Sequence, residues 1–243
     1  MSNPQPAVSL IIPVYNEAES IDTVITEANR VLNTISQPYE ILVINDGSTD
    51  ETASVLAQTQ KRFPVLRILT LTVNAGQSAA FGAGFRACHG YVAILMDGDG
   101  QNDPHDIPAM LAALKTCDAC CGIRAKRQDS WSKRVGSRMA NAVRRSILHD
   151  GIKDTGCSLK AIKTEFLRTL PMELKGMHRF LPALLLMQDA KLAQLPVNHR
   201  PRAAGQSKYT NLKRLSETAS DRWAVRWMQK RYRRYQTTLE NDQ

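Results

Sequence analysis

The chain has 243 residues, of which 43% are hydrophobic, enough to bury one full core. Its 32 lysines and arginines against 23 acidic residues give a formal net charge of +9, which predicts an anionic partner. No run approaches the roughly 20 apolar residues that span a bilayer, and the N-terminus lacks a basic region followed by an apolar core. We therefore expect neither a transmembrane helix nor a signal peptide, and we expect a cytoplasmic location.

Short apolar strands alternate with helical patterns through the first half of the chain. We predict strands at residues 8–13, 39–44, 66–71, 90–96 and 118–123. The first strand is expected to end at Pro13, because proline cannot donate to a sheet ladder. Helices are predicted at about 17–32 and at 78–88. This alternation predicts an α/β fold whose sheet is mainly parallel and flanked by helices.

Polar turns follow the first four predicted strands. They lie at residues 14–17, 45–50, 74–77 and 97–101. In open parallel sheets, ligands bind beyond the carboxyl ends of the strands. Polar turns at four successive strand ends therefore predict a ligand site at that edge of the sheet.

The turn at 97–101 carries the most specific chemistry. Asp97 and Asp99 are two residues apart directly after an apolar strand, and Gly98 between them lets the backbone curl. Two carboxylates of this kind suit Mg²⁺ or Mn²⁺, which proteins hold with carboxylates and substrate phosphates. Alone, such a triplet is equally typical of a turn or a helix cap, so the surrounding motifs decide its meaning.

Eight segments between Val8 and Leu215 resemble, in order, the motifs of family 2 glycosyltransferases, which have the GT-A nucleotide-sugar fold. They lie at residues 13–17, 45–48, 74–77, 97–101, 122–124, 127–137, 154–160 and 199–209. The chain is most similar to the polyprenyl-phosphate sugar transferases, which include dolichol-phosphate mannose synthases and bacterial undecaprenyl-phosphate sugar transferases. The resemblance implies a Rossmann-like GT-A domain at residues 7–210, after a disordered start at 1–6.

The resemblance also implies roles for individual residues. The implied nucleotide-binding residues are Pro13, Tyr15, Glu17, Asp46, Gln77 and Asp97. The implied ligands of Mg²⁺ or Mn²⁺ are Asp97, Asp99 and Gln101. The implied phosphate-binding residues are Arg124, Arg134, Ser137, Arg202 and Lys208, and the implied catalytic residues are Asp97, Asp99, Arg202 and Lys208. Asn45 stands where the family has an aspartate, so at that motif only Asp46 carries over.

The chemistry of such a site also predicts its acceptor. Breaking a sugar–diphosphate bond builds negative charge on the leaving oxygens, which a divalent cation and arginines neutralise. A lipid phosphate, with a second pKa of about 6, is already largely dianionic at neutral pH and needs no catalytic base. The second half of the chain is rich in arginine rather than in acid–base carboxylates, which suits a phosphate acceptor. Together with the resemblance, this predicts a metal-dependent inverting transferase that moves a sugar from a UDP- or GDP-linked donor to a polyprenyl phosphate, at the inner face of the cytoplasmic membrane.

Three other function classes compete with this prediction. A transferase acting on the hydroxyl of a glycan or glycolipid is the nearest, but the chain has no Glu-Asp dipeptide to supply its usual base. A nucleotidyltransferase would carry a glycine-rich phosphate loop where residues 13–17 stand. A non-enzymatic binding protein would explain the basic residues but not the acids at the strand ends. Because the positive charge is concentrated rather than evenly spread, we predict no nucleic-acid partner.

Residues 211–243 predict a basic amphipathic helix. Its apolar positions recur every three or four residues, at Leu212, Leu215, Ala219, Trp223, Trp227 and Tyr235. Lysines and arginines occupy much of the remainder, a pattern typical of helices that lie on a membrane surface. Packing of the helix on the domain is the alternative, and the helix could also pair two subunits in a homo-oligomer.

The five cysteines are an odd number and predict no disulfide framework. Cys117 and Cys120 have the spacing of zinc ligands, but no second pair or histidine pair follows them. They also fall beside and within the predicted fifth strand, where buried thiols are ordinary. We expect these two to be packing residues, and Cys157, beside the proposed site, to be a structural thiol rather than a nucleophile.

Overall fold

A computed structural model describes residues 5–125, 142, 144–201 and 211–233, with the backbone alone described for 211–219. The strands are β1 Val8–Val14, β2 Tyr39–Asn45, β3 Leu66–Thr70, β4 Val92–Leu95, β5 Ala119–Arg124, β6 Lys160–Lys163 and β7 Leu192–Val197. The α-helices that we number are α1 Ile21–Leu32, α2 Thr52–Arg62, α3 Gln77–Ala87, α4 Ile107–Ala113, α5 Leu181–Met187 and α6 Asn211–Arg231.

The seven strands form one sheet in the order β3-β2-β1-β4-β6-β5-β7. The pairs β1–β2, β1–β4, β2–β3 and β5–β7 are parallel. Strand β6 is antiparallel to both of its neighbours, β4 and β5. The predicted α/β fold with a mainly parallel sheet flanked by helices is confirmed, and β6 and β7 are strands that the sequence analysis did not identify.

The prediction that Pro13 ends the first strand was wrong. Strand β1 continues through Pro13 to Val14, whose carbonyl accepts from the N–H of Asp46 at 2.9 Å. The carbonyl of Ile11 points to the other side and accepts from the N–H of Met96 at 3.1 Å. Because alternate residues of a strand bond to alternate neighbours, Pro13 faces the β4 side, where the β4 ladder has already stopped at Leu95. Its missing N–H therefore leaves the ladder to β2 complete, and that ladder carries the strand on to Val14.

Two apolar clusters fill the space between the sheet and its helix layers. One packs α1, α2 and α4 on the sheet, and the other packs α3, α5 and α6 on the opposite face. Helix α3 lies so close to the sheet that a Cβ on Gly84 would be 2.7 Å from Cγ2 of Ile11. The sheet and the helix layers on its two faces make this a three-layer domain.

All five cysteines are buried thiols, and four of them, Cys88, Cys117, Cys120 and Cys157, belong to these clusters. Burial raises the pKa of Cys120 to about 12 and that of Cys121 to about 11. Burial also raises the pKa of Cys157, which lies nearest to the predicted site. Neutral, buried thiols agree with the predicted packing role, because nucleophiles and metal ligands need the thiolate.

The last described helix, α6, packs on the domain through a narrow face. Val225 is completely buried, and the amide of Gln229 donates to the carbonyl of Leu148 at 3.0 Å. Trp223 and Trp227, by contrast, are 67% and 60% exposed. Residues two positions apart in an α-helix lie about 200° apart around its axis. Because Val225 faces the domain, Trp223 and Trp227, each two positions away from it, face outward. Of the predicted apolar stripe, the two tryptophans therefore face away from the domain.

Val225→Asp should detach α6, because it places a carboxylate in the apolar cluster beneath the helix. Trypsin should then cut at the basic residues of α6 at least about tenfold faster than in the unchanged protein. Ala224→Asp is the matched control, since the neighbouring Ala224 is exposed. Equal cleavage of the two variants, followed by mass spectrometry of the fragments, would contradict the packing through Val225.

Candidate active site

The predicted acidic pair lies just beyond the end of β4. Asp99 is buried and Asp97 is half-buried. The side-chain amide of Gln77, the first residue of α3, donates to Oδ1 of Asp97 at 2.8 Å. The backbone N–H of Asp97 donates to Oδ1 of Asn102 at 3.0 Å, and Oδ1 of Asp99 accepts from the N–H of Gln101 at 3.1 Å. The turn is thus fixed by its own backbone and by one predicted site residue, Gln77.

Gly98 seats this turn against the end of β1. A Cβ on Gly98 would be 2.6 Å from Cγ1 of Val14, closer than real side chains approach. The carbonyl of Gly98 accepts from the hydroxyl of Ser20, just before α1, at 2.9 Å. Only glycine therefore lets the acidic turn lie this close to β1 and α1.

Asp46 organises the turn that precedes α3. Its Oδ1 accepts from the N–H of Ala75 at 2.8 Å, and its Oδ2 accepts from the N–H of Gly76 at 2.9 Å and from the amide of Asn74 at 3.1 Å. Burial raises the pKa of Asp46 and outweighs the two N–H donors, which favour the charged carboxylate. In this structure Asp46 holds the turn that leads to Gln77.

The turns after β1 and β2 are fastened to each other. Asn16, in the left-handed conformation with φ 54°, accepts from the N–H of Thr49 at 2.8 Å, and its own N–H donates to the hydroxyl of Ser48 at 3.0 Å. The N–H of Glu17 donates to the hydroxyl of Thr52 at 2.9 Å. These contacts join the two segments that were predicted to bind the nucleotide.

Arg124, at the end of β5, forms a two-pronged ion pair with Asp154. Its Nε and Nη2 lie 2.7 and 2.8 Å from the two carboxylate oxygens. A Cβ on Gly156 would be 2.7 Å from Nη2, so glycine makes room for the guanidinium. The fork that was predicted to bind phosphate is thus directed at Asp154, a residue to which the sequence analysis gave no role.

A second ion-pair cluster borders the acidic turn. Glu27, Asp103 and His105 lie close enough together to hold a metal ion. However, Arg200 pairs with Glu27 at 2.8 Å and with Asp103 at 2.7 Å, so a metal would have to displace its guanidinium. The N–H of Arg200 also donates to the carbonyl of Gln101 at 2.9 Å. We interpret the cluster as an anchor that holds the segment after β7 beside the acidic turn.

The pKa values in this anchor agree with ion pairing. Burial opposes ionisation of Asp103, but hydrogen bonds from His105 and Arg200 outweigh it and lower the pKa of Asp103. The hydrogen bond to Glu27 raises the pKa of Arg200 further. The pair therefore stays charged over the whole physiological range.

The structure brings some predicted site residues together. Gln77 contacts Asp97, while Pro13, Tyr15, Glu17 and Asp46 line the adjoining turns at the same edge of the sheet. The side-chain amide of Gln101 lies 3.5 Å from the carbonyl of Arg200 and bonds neither Asp97 nor Asp99. Its role as a metal ligand therefore stays a prediction. Four predicted phosphate-binding or catalytic residues, Arg134, Ser137, Arg202 and Lys208, lie outside the described residues.

Two polar residues that the sequence analysis missed also support the turn. The Oδ1 of Asn102 accepts both from the backbone of Asp97 and, at 2.8 Å, from the hydroxyl of Ser158. Asn102 was visible as a turn residue within two positions of Asp103 and Pro104. Ser158 lies within the family-like segment at 154–160, but it precedes a strand rather than following one, so the pattern of polar strand ends gave it no role.

Residues 9–171 match the family described as Glycosyl transferase family 2. The chain belongs to this family. A curated relative, Undecaprenyl-phosphate 4-deoxy-4-formamido-L-arabinose transferase of Edwardsiella ictaluri (strain 93-146), is 32% identical over 212 residues. The match covers 86% of this chain and 65% of the relative, so the chain spans slightly less than two thirds of the relative's length.

Solved structures of other proteins share the fold of this family 2 glycosyltransferase. Glucosyl-3-phosphoglycerate synthase from Mycobacterium tuberculosis, in complex with UDP, has a TM-score of 0.66 at 19% identity, over 92% of this chain and 80% of that one. The mannosyltransferase PcManGT from Pyrobaculum calidifontis, in complex with GDP-Man and Mn²⁺, has a TM-score of 0.62 at 20% identity, over 84% and 59%. These likenesses confirm the predicted GT-A fold.

Gly98→Ala should destabilise the protein by about 1–3 kcal/mol, because the added methyl group overlaps the side chain of Val14. The free energy of unfolding, measured by urea denaturation, gives this cost. Truncation of the opposing side chain should relieve the overlap, so the double variant with Val14→Ala should lose less than the sum of the two single variants. A simple sum would show that the two residues do not press on each other.

Proposed function

We propose that this family 2 glycosyltransferase transfers a sugar from a UDP- or GDP-linked donor to a polyprenyl phosphate, at the inner face of the cytoplasmic membrane. The observation that carries the proposal is the acidic turn of Asp97 and Asp99, held by Gln77 at the carboxyl edge of the sheet. The curated relative, whose name gives undecaprenyl phosphate as its acceptor, supports the choice of acceptor.

Asp97 and Asp99 fit a hard divalent cation. Both are carboxylates on one short turn, and oxygen ligands of this kind suit Mg²⁺ or Mn²⁺. The nearby ion-pair cluster of Glu27 and Asp103 fits less well, because Arg200 already supplies its positive charge. When bound, the cation would neutralise the charge that develops on the departing diphosphate. Gln101 completes the proposed ligand set.

The donor nucleotide is proposed to bind in the adjoining turns. Tyr15 and Glu17 are half-buried after β1, and Asp46 lies at the end of β2. Because Asn16 and Thr49 tie these turns together, the nucleotide would meet a preformed surface rather than two loose loops. Pro13 and Gln77 complete the proposed nucleotide-binding set, and UDP is slightly favoured over GDP by the likeness of residues 77 and 127–131 to the undecaprenyl branch.

The acceptor phosphate is proposed to meet positive charge rather than a base. An ionised phosphate monoester attacks without prior deprotonation, so the protein must position it and screen its charge. Arg134, Ser137, Arg202 and Lys208 are proposed for this task. Arg124 would join them where a phosphate replaces Asp154 as the partner of its guanidinium. In-line attack opposite the leaving diphosphate would invert the configuration at the anomeric carbon.

Asp97→Asn and Asp99→Asn should each lower kcat/KM at least about 100-fold, because a neutral amide holds a divalent cation far less well than a carboxylate does. The measurement is transfer of radiolabelled sugar from UDP- and GDP-sugars to undecaprenyl phosphate, with Mn²⁺ and with EDTA. Asp118→Asn is the matched control, because Asp118 lies at the opposite edge of the sheet beside Lys163. Activity that persists in EDTA would refute the metal dependence, and label found only on hydroxyl acceptors would refute the phosphate acceptor.

The exposed face of α6 is proposed as the contact with the membrane. None of the helices in the described ranges is long and apolar enough to cross a bilayer. Trp223 and Trp227 project from α6, and Lys230, Arg231 and Arg233 are exposed near its C-terminal end. Tryptophans insert into the headgroup region, and each basic residue near an anionic leaflet contributes about 1 kcal/mol. Such a contact would bring the site to a lipid-bound acceptor.

Replacing both Trp223 and Trp227 with Ala should weaken binding to vesicles containing anionic phospholipid by about tenfold or more, since apolar area is no longer inserted. Co-sedimentation with sucrose-loaded vesicles gives the partition coefficient. Tyr91→Ala is the control, because Tyr91 is equally exposed but lies at the other edge of the sheet. An unchanged partition coefficient in the tryptophan variant would exclude this face of α6 from membrane binding.

A further inference from the structure

We propose that His178 is a positioning residue for the acidic turn and acts through Ser78 and Gln77. His178 lies on the short 3-10 helix Met177–Phe180, a hundred positions along the chain from Ser78. Neither the family match nor the relatives assign it a role. The inference rests on the proposed function, because its consequence is the geometry of the proposed metal ligand Asp97.

Two contacts join His178 to Ser78. The ring Nδ1 lies 2.7 Å from Oγ of Ser78, and the backbone N–H of His178 donates to the same Oγ at 3.2 Å. Since Oγ accepts from the backbone, its own proton can point to Nδ1, which accepts in the neutral ring. Ser78 is buried, so removing the imidazole ring would take away the acceptor of its hydroxyl proton, and water could not easily replace it.

Ser78 is the second residue of α3, and the first is Gln77, whose amide reaches Asp97. The residue before the helix is Gly76, so no side chain caps this end. Asp46 holds the turn before this end through the N–H groups of Ala75 and Gly76, but it does not bond the first residues of the helix, Gln77 and Ser78. The bond from His178 to Ser78 therefore restrains the turn that carries Gln77.

The 3-10 helix itself is rigidly placed, which His178 needs in order to act as a fixed point. Its first and last residues, Met177 and Phe180, are buried in the core. Gly176 precedes them in the left-handed conformation with φ 86°, and a Cβ there would be 2.9 Å from Oδ2 of Asp221 on α6. The path from this anchored segment to the acidic turn is thus short: His178, Ser78, Gln77, Asp97.

The test measures metal–nucleotide affinity directly, apart from turnover. His178→Ala should raise the dissociation constant of Mn²⁺ with UDP, or with GDP if that is the nucleotide bound, about tenfold, as expected for a residue that orients a metal ligand from behind. Isothermal titration calorimetry gives this constant. His178→Asn should restore most of the affinity, because its amide oxygen can accept from Ser78 where Nδ1 does. His89→Ala, a change at an exposed histidine near Glu40 and Arg67, should leave the constant unchanged.

A double-mutant cycle separates positioning from general stability. In a Gln77→Ala background, His178→Ala should have no further effect on the dissociation constant, because the residue through which it acts is gone. Equal effects in both backgrounds, or no effect in either, would overturn the inference. If His178→Ala does not fold, Ser78→Ala provides the same cycle. A wild-type protein that binds Mn²⁺ with neither nucleotide would overturn the proposed metal site as well, which is a separate and distinguishable result.

Discussion

The close approach of Gly98 to Val14 is the constraint on which the rest of the site depends. It seats the acidic turn on the end of β1, and the bond from Ser20 ties the same turn to the start of α1. Gln77 then reaches Asp97 from the helix layer on the other face of the sheet. One short turn is therefore held from three elements, and its two carboxylates are placed by packing as much as by their own backbone.

The carboxylates around this turn differ in the groups that balance their negative charge. Glu27, Asp103 and Asp154 pair with arginines, so their charges are balanced within the protein. Asp46 is satisfied by backbone N–H groups, and burial raises its pKa. This local balance limits the repulsion that a diphosphate would meet at an edge so rich in acids. It also explains why two arginines at this edge, Arg124 and Arg200, support the protein's own structure.

The sequence predicted the first five strands, the helices α1 and α3 and the acidic turn, because strong apolar runs and polar strand ends are local signals. It missed β6, a four-residue strand with lysine at both ends, and β7, which contains Pro196. The rule against proline in strands failed at Pro13 because it ignores which side of the strand has a neighbour. In α6, the tryptophans dominated the apolar pattern, yet packing selected the smaller Val225. Pairs such as His178 with Ser78 leave no trace in a single sequence, since only the tertiary fold brings them together.

The reversed direction of β6 has a consequence for how the domain can diversify. Lys160, its first residue, pairs with Leu95, the last residue of β4, so the chain enters β6 from the active edge. Residues 154–158 therefore form a wall of the site from upstream of a strand, with Asp154 and Ser158 as its contacts. A wall built this way can change length or composition without disturbing any crossover helix. Related enzymes could thus vary this wall while keeping the strands and helices of the first half of the sheet intact.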